Sequence, residues 1–320
     1  MTVRAPLPPM PHGARRLALV LGVCTGLAGR AAAQAPEPLP MQEVAPGVFV
    51  YAAPIALAAP DNHGAIANLG FIVGRDAVAV VDTGGSFDTG RRLVAAVRAR
   101  TALPIRYAID THVHPDHLLG NAALVAEEAQ IVGHANLPAA LAARRDAYLD
   151  AGRRLIGGAF AGTEAVAPTI LVADTLALDL GGRVLRLEAW PTAHTNTDIT
   201  VLDEATGTWF LGDLLFVGHI PALDGRLKGW LATLQRLKAR SAARIVPGHG
   251  PPSVPWPAAA EPMERYLTGL ERDVRTMIRE GRTLGEAAER AGEAEAGRWS
   301  LFEAFAARNA TSAFQELEWE

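Results

Sequence analysis

The chain has 320 residues, of which 49% are hydrophobic and 20% charged, and its formal net charge is −4. That balance excludes an intrinsically disordered chain and suits one large α/β domain or two small ones. A mildly acidic chain also has no electrostatic footing for nucleic acid or an anionic membrane as its main partner, which leaves a small-molecule substrate as the expectation.

The first segment reads as an export leader. Arg4, Arg15 and Arg16 give a basic start, residues 17–29 form a short apolar run, and Ala31 and Ala33 supply the small residues of a cleavage site. Residues 1–33 are expected to be removed as a signal peptide, by the general or the twin-arginine route. The product would be periplasmic or secreted, with no stable membrane insertion, because the apolar run is too short to span a bilayer. The only cysteine, Cys24, lies inside the leader, so the mature chain would carry no disulfide chemistry. Residues 34–46 are Pro-rich and read as an exported segment ahead of the domain.

Short apolar runs at 47–51, 67–74 and 77–83, bounded by Gly, Pro or Asp, predict strands. A helix follows, with Leu93, Val94 and Val97 at helical spacing. The run "IRYAID" (105–110) is again a strand, and it leads directly into the sequence "HVHPDH". Beyond it, "LLGNAALVAEEA" predicts a helix and "QIVG" a strand, after which His134 reads as structural. A long helix is expected over 136–158, then strands at "TLALDL" and "RVLRLEAW", and a hairpin over 199–213. Leu227, Trp230, Leu231, Leu234 and Leu237 share one helical face, and "ARIV" is a short strand. From Glu261 onward the chain reads as helical, with Met263, Tyr266, Leu267, Leu270, Val274, Met277 and Ile278 as its buried stripe. Alternation of strands and helices predicts an α/β domain over 47–255 with a helical C-terminal extension over 256–320.

Three of the nine histidines and an aspartate fall within that short cluster. Residues two apart in extended backbone point the same way, so His112 and His114 can grip one ion together. Pro115 turns the chain, which lets Asp116 and His117 address a second position. Nitrogen and carboxylate donors suit zinc, with iron or manganese as alternatives. Further donors lie in loops at the ends of predicted strands: His194 in "TAHTNTD", Asp213 in "LGDLLF" and His249 in "PGHG". Such strand ends are where α/β proteins gather function.

These motifs, in this order, resemble the metallo-β-lactamase superfamily, as does "VVDTGG" around Asp82. The resemblance implies a four-layer αββα sandwich with a two-metal site at one edge of its sheets. It implies that His112, His114 and His194 hold one zinc, that Asp116, His117 and His249 hold a second, and that Asp213 bridges them. Asp82 would support the metal-binding loop. A bridging aspartate marks relatives such as glyoxalase II, phosphodiesterases and arylsulfatases, whereas dedicated β-lactamases have cysteine or serine there. A narrower resemblance, through "DNHGAIANLGFIVG", "VGHANLPAALAAR", "PALDGRLKGW" and "RNATSAFQELEWE", is to the quinoprotein relay system zinc metallohydrolases, which are associated with periplasmic quinoprotein and sulfur-oxidation systems.

The function so implied is hydrolysis of an ester, thioester, lactone or phosphoester by metal-activated water, with Asp116 taking up the proton. His63 and His219, in loops with no metal role in the family pattern, are candidates for substrate contact. The alternatives are a mononuclear iron dioxygenase acting on a thiol or persulfide through His112, His194 and Asp213, a non-catalytic metal-binding accessory protein, and a true β-lactamase.

Overall fold

The computed structural model describes residues 36–320. The expected leader lies outside them. In chain order the elements are β1 (Gln42–Ala45), β2 (Val48–Tyr51), β3 (Leu69–Val73), β4 (Val78–Val81), α1 (Phe87–Arg98), β5 (Ile105–Ile109), α2 (Pro115–Leu118), α3 (Asn121–Val125), β6 (Gln130–His134) and α4 (Leu137–Ile156). Then follow β7 (Ile170–Val172), β8 (Thr175–Asp179), β9 (Val184–Ala189), β10 (Ile199–Asp203), β11 (Thr208–Phe216), α5 (Leu227–Lys238), β12 (Arg244–His249), α6 (Glu261–Arg279), α7 (Leu284–Arg290) and α8 (Phe302–Leu317).

Two mixed sheets form, one of seven strands ordered β1-β2-β3-β4-β5-β6-β7 and one of five ordered β12-β11-β10-β9-β8. Strand alternation explains why they stack with helices on both outer faces. In β4, Ala79 and Val81 turn inward to the shared core while Val78 and Val80 turn outward onto α1, where Leu93 and Val97 meet them. Across the interface, Leu185, Leu187, Ile199, Val201 and Phe210 complete that shared core. In β11, Trp209 and Leu211 face the other way, toward Trp230, Leu234 and Tyr266 of α5 and α6. Strands covered on both faces read as unbroken apolar runs, which is how they stood out in the sequence. The result is the expected αββα sandwich with C-terminal helices.

Differences from the expectation have local causes. The Pro-rich stretch is not a separate segment ending at Pro46, because β1 pairs antiparallel with β2 and Leu39 is buried against the outer core. The helix expected after the histidine cluster is broken into α2 and α3 at Gly120. A Cβ there would lie 2.1 Å from the Thr83 carbonyl oxygen, and the Gly120 N–H donates to Gly84 O. That close approach docks the cluster against the end of β4 and is incompatible with a regular helix. The C-terminal helices share one apolar core with α5, and the buried Asn309 of α8 donates to Pro221 O and accepts from Leu223 N–H. At the far end of the sandwich, Arg183 binds Asp203 through two N–H groups and donates a third to Val73 O, tying one sheet to the other. Burial would raise the Asp203 pKa, but these Arg183 contacts outweigh it and hold the carboxyl below its ordinary value. No helix among the described residues is long and apolar enough to cross a membrane.

Candidate metal centre

The donors converge at one edge of the sandwich, from strand ends in both sheets. His112, His114, Asp116 and His117 follow β5 of the larger sheet. His194 follows β9, Asp213 lies within β11 and His249 ends β12, all in the smaller sheet. Residues 111–113 form a bend rather than a strand, so strand alternation is not what unites His112 and His114; their rings nonetheless stand 4.8 Å apart, edge to face.

Two donor sets result: His112, His114, His194 and Asp213, and Asp116, His117 and His249. In the first, His194 Nε2 is 2.9 Å from His114 Nδ1 and 3.4 Å from Asp213 Oδ2, which is 3.6 Å from His112 Nε2. In the second, His249 Nε2 and His117 Nε2 lie 3.4 and 3.6 Å from Asp116 Oδ2. Asp213 also belongs to this side, with Oδ1 3.2 Å from His117 Nε2 and Oδ2 3.5 Å from His249 Nε2. Zinc–nitrogen bonds of about 2.0–2.1 Å put tetrahedral ligand atoms about 3.3 Å apart, close to these separations.

The outer ring nitrogens establish which atoms face inward. His194 Nδ1–H donates to Ala222 O, His249 Nδ1–H to Ile66 O, and His114 Nε2–H to Asp224. Asp82 accepts from the Thr111 N–H and hydroxyl and from His117 Nδ1–H, and the Thr111 oxygen in turn accepts from His112 Nδ1–H. Every imidazole is thereby fixed in the tautomer that presents a lone pair to the centre. His112 Nε2, His117 Nε2 and Asp213 Oδ1 are buried without a hydrogen-bond partner. Buried polar atoms are rarely left so, and a cation shared among them would supply what is missing.

The electrostatics agree. Burial holds the His112 pKa well below its ordinary value and takes that of His194 down to about 3, so both rings are neutral, as ligands must be. Burial would raise Asp213, yet the His249, His117 and His112 rings hold its carboxyl well below the usual range. Burial also opposes charge on His117 and His249, but the Asp213 carboxylate, aided by Asp116, outweighs it and raises both. Carboxylates thus crowd the second set and favour positive charge there. Gly248 makes room for Asp213, since a Cβ at that position would stand 1.9 Å from Asp213 Oδ1.

The centre opens on a cavity of about 360 Å³ whose walls include Asp116, Asp213, His219, Phe216, Arg144 and Arg308. His219 occupies the expected position in that wall, tilted against the rings of His249 and Phe305. His63 does not. Its ring pairs with Asp88 at 2.7 Å, and its carbonyl accepts from Ser86 and Thr89 at the start of α1. It therefore organises a helix end and does not line the cavity, which corrects the expected role in substrate contact. Asp224, Arg144, Tyr148, Phe305 and Arg308 went unnoticed in the sequence. As charged or aromatic residues at helical spacing or in a polar loop, they carry no local signal.

A layered sandwich with two donor sets sharing one aspartate defines a metal-binding protein of hydrolase type. The chain belongs to the metallo-beta-lactamase superfamily, whose family model matches residues 64–249. Among solved structures it is similar to a metallo-beta-lactamase from Pontibacter korlensis, at 20% identity and a TM-score of 0.57, covering 71% of this chain and 98% of that one. It is also similar to the stereoselective inverting sec-alkylsulfatase Pisa1 from Pseudomonas sp., at 16% identity and a TM-score of 0.63. That match covers 87% of this chain and spans about half, 50%, of the sulfatase. A linear primary-alkylsulfatase from Pseudomonas sp. is 45% identical over 49 residues, which are 15% of this chain and 9% of that protein.

Proposed function

We propose that the protein is an exported metal-dependent hydrolase that cleaves an ester, thioester, lactone or phosphoester, with sulfate esters added by the likeness to alkylsulfatases. The observation that carries this reading is the sharing of Asp213 between two donor sets beside an open cavity. Two zinc ions held by His112, His114 and His194 and by Asp116, His117 and His249 would supply Lewis acidity and lower the pKa of a bound water toward neutrality. A second complete set favours two ions over the single iron of a dioxygenase.

The chain's own groups have distinct tasks. Asp116, with 18% of its side chain accessible, is the carboxylate of the second set that faces the cavity, so it orients the attacking water and accepts its proton. His219 donates Nδ1–H to Ile220 O, which leaves Nε2 as an acceptor. Burial takes its pKa down to about 4, so it is neutral at physiological pH and serves as a hydrogen-bond acceptor rather than a proton donor. Phe216, stacked on His249 at 5.1 Å, keeps that side of the centre dry.

The test is an activity screen of zinc-loaded protein against esters, thioesters, phosphoesters, sulfate esters and β-lactams. Turnover of an ester-type substrate, lost in Asp116→Asn, is the expected result. A β-lactam efficiency above about 10⁵ M⁻¹s⁻¹ would instead assign lactam cleavage as the main task. Metal analysis should find two ions, and one tightly bound iron would favour the dioxygenase. Export is supported by the basic, apolar and small-residue pattern of residues 1–33 and predicts a mature N-terminus near Gln34, read by N-terminal sequencing. The narrower resemblance makes a periplasmic quinoprotein system the proposed physiological setting.

A further inference from the structure

The cavity above Asp116 continues into a second, smaller one of about 90 Å³, and the two share Ile66, Pro115, Asp116, Tyr148 and Ala151. The centre therefore lies where two arms of a cleft meet, and the arms differ in chemistry. The smaller arm is apolar, walled by Leu119, Ala151, Leu155 and Ile156 and floored by glycines 64, 85 and 152. Its volume suits about three methylene-sized groups. Leu155 at its outer end is 53% exposed.

The larger arm is polar, lined by two arginines as well as by the carboxylates of Asp116, Asp213 and Asp224. Arg144 of α4 and Arg308 of α8 donate to the two oxygens of one carboxylate, Asp224, at 3.3 and 2.7 Å. That carboxylate is also the acceptor for His114 Nε2–H, at 3.1 Å. Two permanent positive charges thus converge on one carboxylate already engaged with a ligand histidine, and each guanidinium keeps N–H donors in reserve. Tyr148, half-buried between the arms, makes no hydrogen bond through its hydroxyl among the described residues. Burial raises its pKa well above the ordinary value, so it keeps its proton as a donor. Arg308 and Phe305 lie beyond residues 64–249, so this recognition surface is built partly outside the segment that the family model matches.

We infer that the substrate joins an anionic group, held by Arg144 and Arg308 beside Tyr148, to a short apolar group that lies against α4 between Leu119 and Ile156. The inference rests on the hydrolase reading for which bond is cut, but not for what is bound. An arginine pair could instead serve only as a clamp between α4 and α8, in which case it would be indifferent to the ligand's charge.

The test uses 4-butoxybenzoate, an uncleavable ether with a carboxylate at one end and a four-carbon tail at the other. Its affinity for the full mature chain is measured by calorimetry, zinc-free and zinc-loaded, beside the neutral 4-butoxybenzamide and the short-tailed 4-methoxybenzoate. The benzoate should bind about tenfold or more tightly than the benzamide in both metal states. The butoxy compound should exceed the methoxy one by up to about fourfold for each methylene buried. In Arg144→Gln/Arg308→Gln the preference for charge should vanish while tail dependence remains. Should the double variant not fold, Arg308→Gln alone, at an exposed position, should lose about a threefold part of it. Equal binding of benzoate and benzamide, or a preference that survives the substitutions, overturns the inference, as does equal binding of the two tails. Hydrolysis of 4-carboxyphenyl butyrate, in which water adds across the ester to give butyrate and 4-hydroxybenzoate, is assayed separately. Selective binding without this cleavage would leave the recognition standing and bring down the hydrolase reading.

Discussion

Asp82 orients part of the centre without belonging to either donor set. It sits in the left-handed region at φ 58°, a conformation that a non-glycine residue adopts only when its surroundings compensate. The compensation is visible: its carboxylate holds His117 directly and His112 through Thr111. Asp82→Ala should therefore weaken metal affinity by about 10–100-fold while every ligand remains, measured by competition with a chromophoric chelator. Gly248→Ala should act by a different route. The new methyl displaces Asp213, so both ions should be lost together, with a folding cost of about 1–3 kcal/mol seen in urea titration. The seven donors were legible in the sequence because their residue types are costly to place together without a purpose. Asp224 was not legible, since one aspartate in a loop gives no hint that His114, Arg144 and Arg308 will converge on it. His63 shows the converse: the residue type invited a role that only the direction of its loop could grant or refuse.

At the scale of elements, α8 is the one whose importance the sequence concealed. One face of it, with Phe302, Ala310, Ala313, Phe314 and Leu317, packs into the apolar core shared with α5 and α6. Asn309 adds a second task, because it grips Pro221 and Leu223 and bonds to the Tyr266 hydroxyl. Between those gripped residues, Ala222 O orients His194, and just beyond them Asp224 orients His114. Asn309→Ala should then cost about 2 kcal/mol of stability, from unsatisfied buried groups, and should weaken the first ion more than the second. Thermal unfolding and stepwise metal removal would check the two halves of that expectation. Short strands such as β1 and β7 were missed for a simpler reason. Each lies at a sheet edge, where four or three residues with mixed burial carry too little pattern to recognise. Longer elements buried on both faces, β4 and β11 among them, were readable from composition alone.

For the whole molecule, the two sheets are joined at opposite ends by different chemistry. At the end remote from the centre, Arg183 of the smaller sheet donates to Val73 O of the larger one and is held in place by its ion pair with Asp203. The Asp203 carboxyl is held below the ordinary value in the folded state, so its stabilisation is present above the unfolded pKa of about 4 and is lost as pH falls through the lower folded value. Asp203→Asn should accordingly be destabilised at pH 7 by about 3 kcal/mol, with the gap from the parent closing below about pH 4 in urea titrations. At the other end, the ligands come from both sheets, so an ion bound by the second set would cross-link positions as far apart in sequence as Asp116 and His249. Cross-links of this kind restrain the unfolded chain, and the one cysteine of the sequence, Cys24, can form no disulfide within the chain to do the same. At a thousandfold excess of free ion over its dissociation constant, mass action adds about 4 kcal/mol, or about 10 °C in melting temperature for a domain of this size. Chelation should remove that increment and speed digestion by a protease that recognises open chain. With a redox-inert ion such as the proposed zinc in place, the protein's working lifetime should then follow the local supply of metal ions and not the redox state of the medium around it.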